Sequence, residues 1–210
     1  MGIKLYGMPM STNTVRCSAA LNEKGLDYEF AVVDLRTGAH KHPDFLALNP
    51  FGQIPVLEDG GDVLFESRAI NRYIASKYKG TGPDLLPAGS ATVEVWLEVE
   101  AQQFAPAISA VVFELLIKPM LGGTTDQTVV EKQSAKLASV LDVYEAHLAK
   151  NKYFAGDAFT LADLNHMAYA NYLLKTPKAD LITSRPHVKA WWDDVSSRPA
   201  WKKTAAGIPI

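Results

Sequence analysis

The sequence predicts an α/β domain over residues 1–80, a linker over 81–89 and an all-helical domain over 90–210. Three observations carry this reading. Before residue 80 short apolar runs alternate with helix-period patterns, and beyond it nearly every apolar residue recurs at helical spacing. The change falls at KGTGPDLLPAGS, residues 79–90, whose glycines and prolines suit a connection. Hydrophobic residues make up 48% of the 210, against 21% charged, which supplies the apolar mass for real cores.

Residues 3–7 (IKLYG) read as a strand ended by Gly and Pro. Residues 11–24 follow as a helix, with Val15, Ala19, Ala20 and Leu21 on its inner side and Gly25 as its stop. Residues 28–35 alternate as a strand, Tyr28, Phe30 and Val32 sharing one face. Strand, helix, strand makes a βαβ unit, which predicts parallel pairing. A helical turn over 40–48 is stopped by Asn49-Pro50. Strands over 54–57 and 63–65 flank Asp59-Gly60-Gly61-Asp62, a strong hairpin signal. Ser67 then caps a helix whose stripe is Ile70, Tyr73, Ile74 and Tyr78. This order, βαβ, α, ββα, is that of a thioredoxin-like fold.

In the second domain a long helix over 91–118 is expected to bend at Pro106, which lacks a backbone donor. Gly122-Gly123 break the chain, and residues 125–150 form a helix carrying Val130, Leu137, Leu141, Tyr144 and Leu148. Thr160-Leu161-Ala162-Asp163 spells a capping box, with Phe159 and Leu164 spaced as a hydrophobic staple. Asp163 is therefore read as a folding residue. Residues 189–196 and the tail after Pro199 complete the helical domain, and Trp96, Trp191 and Trp192 read as core or interface.

A formal net charge of −2 gives no basic footprint for nucleic acid. No apolar run approaches bilayer-spanning length, and MGIKLYGMPM has none of the regions of a signal peptide. Tyr6 stands where a myristoylation signal needs Ser or Thr. Cys17 is the single cysteine, which excludes an internal disulfide and a multi-cysteine metal site. The five histidines show no metal spacing. The expectation is a cytoplasmic chain with neither membrane nor nucleic acid as partner.

Across its whole length the chain resembles glutathione transferases, most closely the phi class. The motifs that carry the resemblance are STNTVRC at 11–17, AHKHP at 39–43, NPFGQIPVLEDG at 49–60 and FESRAINRYIASKY at 65–78. KPMLGGTTD at 118–126, FTLADLNH at 159–166 and PHVKAWWDDVSSRPAWKK at 186–203 extend it through the second half. The resemblance implies a thioredoxin-like domain followed by an all-α domain. It also implies glutathione as co-substrate, an apolar electrophile as second substrate, conjugation as the reaction and no metal. Reduction of organic hydroperoxides is a plausible secondary activity.

By residue type alone Ser11 is an N-cap. The resemblance implies that it activates the bound thiol, and a hydroxyl donating to sulfur favours the thiolate. Thr12 offers its backbone nearby. Gln53, Ile54 and Pro55 are an ordinary strand entry by sequence. The resemblance implies a cis Ile54–Pro55 bond, with the Ile54 main chain pairing with the cysteinyl residue of glutathione and Gln53 helping to hold the peptide. Glu66 and Ser67 are a solvated acid and a cap on their own. By resemblance Glu66 meets the γ-glutamyl ammonium and Ser67 the α-carboxylate, at a helix N-terminus suited to an anion. His40 and Lys41 match contacts to the glycyl carboxylate.

Met10, Thr12, Leu35, Phe113 and Ile117 are candidates for an apolar substrate pocket, with ordinary core the equal alternative for each. Phe113 and Ile117 are four apart and share a helical face, while Thr12 and Leu35 suggest a roomy site. Phe51, an aromatic on a Pro-Gly turn, matches a residue that inserts into the other subunit, which implies a twofold homodimer. Cys17 reads as a small buried hydrophobe. Thiol-exchanging relatives carry cysteine where this chain has Ser11, so a disulfide exchanger is the lesser alternative. A carrier of apolar ligands is another.

Overall fold

The computed structural model describes residues 2–209. The chain forms two compact units: Met1–Leu86 with Arg198–Ile210, and Pro87–Ser197.

The first unit is built on a four-stranded sheet of order β2-β1-β3-β4. Its strands are β1 (Ile3–Gly7), β2 (Tyr28–Val32), β3 (Val56–Asp59) and β4 (Asp62–Phe65). β1 pairs parallel with β2 and antiparallel with β3, as a βαβ unit followed by a hairpin requires. The hairpin closes over Gly60 and Gly61, with Asp59 opposite Asp62. Both turn glycines have positive φ (63° and 107°), the conformation of a two-residue turn that follows the strand twist.

Helices α1 (Thr12–Glu23), α2 (Pro43–Leu48) and α3 (Ser67–Lys77) complete the α/β part. Cys17, Ala20 and Leu21 of α1 and Ile70 and Ile74 of α3 are fully buried, as are Leu5 and Leu57 of the sheet. Val33, Phe45 and Val56 make a further cluster, on which Tyr6, Leu35, Leu48, Ile54 and Phe65 lean.

Two boundaries differ from the sequence expectation. The stretch 81–89 is not wholly a linker. Leu85 is fully buried, and Lys24 Nζ donates to the Pro83 carbonyl at 2.7 Å. The last helix, expected in the helical domain, belongs to the first unit. Arg198 grips Glu23 of α1 with two parallel bonds of 2.8 Å, and Asn22 Nδ2 donates to Thr204 Oγ1 at 2.9 Å. A fork of this geometry matches guanidinium to carboxylate, a fit that periodicity cannot announce.

The second unit begins with one helical run, Ala91–Met120. Within it α4 (Ala91–Val99), α5 (Ala105–Val112) and α6 (Lys118–Met120) are joined by π turns at Glu100–Phe104 and Phe113–Ile117. Each π turn ends two residues before a proline, Pro106 or Pro119. A proline in an α-helix loses one hydrogen bond and clashes with the carbonyl four residues back. Widening the preceding turn by one residue moves that carbonyl aside, so the helix continues through both prolines. By length and composition this run would pass for a membrane span, contrary to the sequence expectation, with mean hydropathy 1.3 in its best window. Its buried stripe of Phe104, Ala107, Ile108 and Val111 instead packs within the unit against α7 (Gln127–Leu148) and α8 (Leu161–Leu173). The short α9 (Asp180–Thr183) and α10 (Pro186–Ser197) complete the unit, and α11 (Pro199–Ala206) returns to the first.

The capping box at α8 is present, and Asp163 does more than cap. It accepts from the Thr160 amide at 3.0 Å, the Phe154 amide at 3.0 Å and Trp191 Nε1 at 3.0 Å. One carboxylate thus ties the start of α8 to the preceding loop and to α10. Around it Trp96, Tyr144, Phe154, His166 and Trp191 pack edge-on and stacked. Burial lifts the Asp163 pKa to about 6, with these donors and the Thr160 hydroxyl at 3.5 Å pulling the other way.

Asp163→Ala strands three buried donors at about 1–3 kcal/mol each, so denaturant unfolding should show a loss of at least ~3 kcal/mol. Because the folded-state pKa of Asp163 lies above the unfolded one, its ionisation opposes folding as pH rises through about 6. The stability difference between wild type and Asp163→Asn should therefore shrink from pH 4 to pH 6.5, and a constant difference would contradict the assignment. Arg198→Ala removes the partly exposed partner of a two-bond, charge-assisted pair and should cost about 1–3 kcal/mol. Lys189→Ala, at the exposed Lys189–Asp193 pair, should cost under ~1 kcal/mol.

Candidate active site

The sheet register gathers the sequence motifs at one edge. Tyr6 lies opposite Val56, so the segment after β1 runs beside Ile54 and Pro55. Val56 lies opposite Phe65, which brings Glu66 alongside Pro55. Gly7 lies beside Val32, so 33–35 leave β2 at the same edge. Four segments far apart in sequence meet where β1, β2 and β4 end and β3 begins.

Ser11 is the N-cap of α1, extended at φ −76° and ψ 120° and half-buried. Its amide donates to the Met8 carbonyl at 2.9 Å, and its Oγ accepts from the Thr14 amide at 3.4 Å. That bond uses a lone pair and leaves the hydroxyl proton for another acceptor. The capping role and a donor role are therefore compatible in one side chain. Thr12 follows at the first position of α1, and Met10 precedes it in the turn; both are half-buried.

The Ile54–Pro55 peptide is cis, as the resemblance implies. Ile54 stands just outside β3, and its amide and carbonyl take part in none of the backbone hydrogen bonds among the described residues. Gln53 beside it is exposed. Asn49 Nδ2 donates to the Gln53 carbonyl at 2.8 Å, and Asn49 Oδ1 accepts from the Phe51 amide at 3.1 Å, which shapes the turn. Phe51 is 65% exposed and touches Phe65 edge-on. Gly52 sits at φ 56°, and a Cβ there would meet the His40 carbonyl at 2.6 Å. Only glycine allows both that backbone and that approach.

Lys41 Nζ donates to the carbonyls of Phe51 (2.9 Å) and Gly52 (3.0 Å), so one of its three N–H groups remains. His40, in the turn Ala39–Lys41, has a buried Nδ1 with no partner among the described residues. A buried ring nitrogen in that condition is an opening for a ligand.

Glu66 is the one non-glycine residue with positive φ among those described (φ 69°, ψ 104°). Such strain persists only where the surroundings enforce it, and it marks sites that must present a group. Ser67 follows at the first position of α3 and is 5% exposed. Its Oγ accepts from Arg16 Nη1 at 2.8 Å, and its carbonyl accepts from Cys17 Sγ at 3.6 Å.

The pocket candidates are divided. Leu35 leans on the Val33–Phe45–Val56 cluster, the ordinary-core alternative of its sequence reading. Phe113, 45% exposed, and Ile117, half-buried, lie in a π turn of the second unit, where the α-helical spacing used to pair them does not hold. Arg16 and Asn49 were not foreseen as site residues. A charge on the buried face of α1, among Val15, Cys17 and Ala19, and an Asn opening a Pro-Phe-Gly turn were the available signals. No cluster of metal-ligating side chains occurs among the described residues.

The model of the "Glutathione S-transferase, N-terminal domain" matches residues 1–76, and that of the "Glutathione S-transferase, C-terminal domain" matches 104–199. Glutathione S-transferase 3 of Zea mays is 62% identical over 99% of this chain and 95% of its own length. Glutathione S-transferase F13 of Arabidopsis thaliana is 47% identical over 100% of this chain and 98% of its own length. Among solved structures, apo glutathione S-transferase III superposes with a TM-score of 0.95 at 65% identity, covering 100% of this chain and 98% of that one. Maize glutathione S-transferase I in complex with an atrazine glutathione conjugate gives 0.93 at 50% identity, covering 99% and 98%.

Cys17 is fully buried, and burial pushes its thiol up to about 12 against the opposing charge of Arg16. A chromogenic disulfide at pH 8 should leave the native thiol unlabelled and titrate one thiol per chain after denaturation. Rapid native labelling would reopen the disulfide-exchange alternative.

Proposed function

The chain belongs to the glutathione S-transferase family, phi class, and on that premise we propose that Ser11 donates a hydrogen bond to the glutathione sulfur and holds it as thiolate. Membership makes the chain a glutathione transferase: glutathione is its co-substrate, and its sulfur is joined to an electrophile. The observation that carries the role of Ser11 is its hydroxyl at the N-cap of α1, accepting through a lone pair and with its proton uncommitted.

The energetics suffice. A free thiol of pKa ~8.5 is only about 3% ionised at pH 7, and lowering it by ~2 units takes ~2.7 kcal/mol of preference for the anion. A hydroxyl bond to a charged acceptor supplies about 1.5–3 kcal/mol. The amino end of α1 adds about 0.3–1 kcal/mol. The thiolate then attacks the electrophilic carbon. A carbon–sulfur bond forms, and either a leaving group departs or a double bond is saturated. Ser11 keeps its proton throughout and acts neither as base nor as covalent nucleophile.

In this reading the peptide is held along the gathered sheet edge. The Ile54 main chain pairs with the cysteinyl residue as an added strand does, and Gln53 steadies it. The γ-glutamyl carboxylate meets Ser67 at the amino end of α3, and its ammonium meets Glu66. His40 Nδ1 and the remaining N–H of Lys41 face the glycyl carboxylate. Met10 and Thr12, beside Ser11, meet the apolar second substrate. Exposed Phe51 is the contact to a second copy in a cytoplasmic homodimer, and the same thiolate reduces organic hydroperoxides as a secondary activity.

The test is a pH titration of bound glutathione by thiolate absorbance, in wild type and Ser11→Ala, with conjugation of an aryl halide followed alongside. The wild type should depress the thiol pKa by ~2 units, and the variant should lose the shift and about 25-fold in turnover at pH 7 while still binding glutathione. A variant that keeps the depressed pKa would remove Ser11 from the mechanism. Its lost cap should appear separately, as about 0.5–2 kcal/mol of stability.

A further inference from the structure

We propose that Arg16 is a positioning residue for the co-substrate: it fixes the Ser67 hydroxyl as a donor toward the γ-glutamyl α-carboxylate of glutathione. The inference rests on the reading of Ser67 given above and extends it to a side chain that does not itself touch the peptide.

A guanidinium has donors and no acceptor. Because Arg16 Nη1 stands 2.8 Å from Ser67 Oγ, the serine accepts in that bond. Its single proton is thereby turned to another partner, which is the arrangement a carboxylate needs. Without the guanidinium the hydroxyl is a free rotor that donates or accepts as its surroundings dictate.

The arginine is held to this task from several sides. It is fully buried. The same Nη1 donates to Asn13 Oδ1 at 2.7 Å, which fixes the plane of the group. The Arg16 carbonyl accepts from Asn71 Nδ2 at 3.3 Å, which joins its backbone to α3. Position and charge agree as well. Ser67 opens an eleven-residue helix whose amino end favours an anion, and the guanidinium places a formal positive charge at the same point.

The test is a double-mutant cycle read in glutathione affinity. Wild type, Arg16→Met, Ser67→Ala and the double variant are titrated with glutathione and with 4-aminobutyryl-cysteinyl-glycine, which lacks only the γ-glutamyl carboxylate. Arg16→Met should raise Kd and KM for glutathione about tenfold, the worth of one hydrogen bond to a charged group. The kcat at saturation and the thiol pKa of bound glutathione should stay at wild-type values. In the Ser67→Ala background, and for the shortened peptide, the same change should cost no more than about twofold. An equal loss in both backgrounds, or for both peptides, would reduce Arg16 to a support of the fold. If Ser67→Ala leaves glutathione affinity unchanged, the Ser67 reading itself falls. If only Arg16→Met is without effect, the Ser67 reading stands and this inference falls. Arg16→Lys, measured in the same cycle, keeps the charge and donors on a single nitrogen and should lose less than Arg16→Met. Should the methionine variant not fold, the lysine cycle decides by the same criterion, coupling to Ser67 or none.

Discussion

β1 hydrogen-bonds in parallel to β2 and antiparallel to β3, and this mixed pairing fixes where everything else in the first unit goes. A parallel pair cannot be joined by a tight turn, so α1 must cross between β1 and β2. Its amino end, with Ser11 as cap, therefore lies where β1 ends. The antiparallel partner runs the other way, so β3 begins at that edge, and the hairpin returns β4 to finish there. The register, more than any one side chain, brings Ser11, Ile54, Glu66 and Ser67 to one end of the sheet. A slip by one residue would turn each of these strands over and disperse them.

On this frame the polar groups serve folding and function together. Ser11 caps a helix with a lone pair, and in the proposed mechanism its proton goes to sulfur. Ser67 accepts from a buried arginine and is left a donor at a helix start. Lys41 ties the 51–52 turn through two carbonyls with one N–H remaining. In each case the protein satisfies part of the hydrogen-bonding capacity and holds the group rigid, and the proposed function assigns the rest to the peptide. Such preorganisation lowers the ordering cost of binding. It also explains why Glu66 can be kept at positive φ, since the strand before it and the helix after it are both anchored.

The helical unit follows a different logic. Its first helix carries two prolines and continues through both, because a π turn ahead of each makes room for the ring. Its later helices are joined by Asp163, whose two oxygens receive donors from α8, from the loop before it and from α10. Burial makes that carboxylate expensive to ionise, and the converging donors offset part of the cost. The capping pattern that identified Asp163 in the sequence disclosed only the local half of its task.

That difference marks the line between what the sequence decides and what the tertiary structure decides. Strand and helix order, the parallel pair, the Gly60–Gly61 hairpin, the Ser11 cap and the Thr160–Asp163 box were all legible, because each depends on groups a few residues apart. The proposed site roles came from the resemblance, since Ser11, Glu66 and Ser67 read as caps and a solvated acid on their own, and the meeting of their segments was not legible at all. Arg16 reaches Ser67 across 51 residues, and Arg198 reaches Glu23 across 175. At those separations neither pair leaves a short-range signal, so periodicity alone groups the last helix with the helical unit and gives the buried arginine no partner. Pocket wall and core are equal readings of Leu35 by sequence, and its packing on the cluster around Phe45 decides for core. Periodicity and capping report the short-range terms of the chain's free energy. Which buried charge finds which partner is settled only when packing brings distant segments together and removes the water that would otherwise satisfy them.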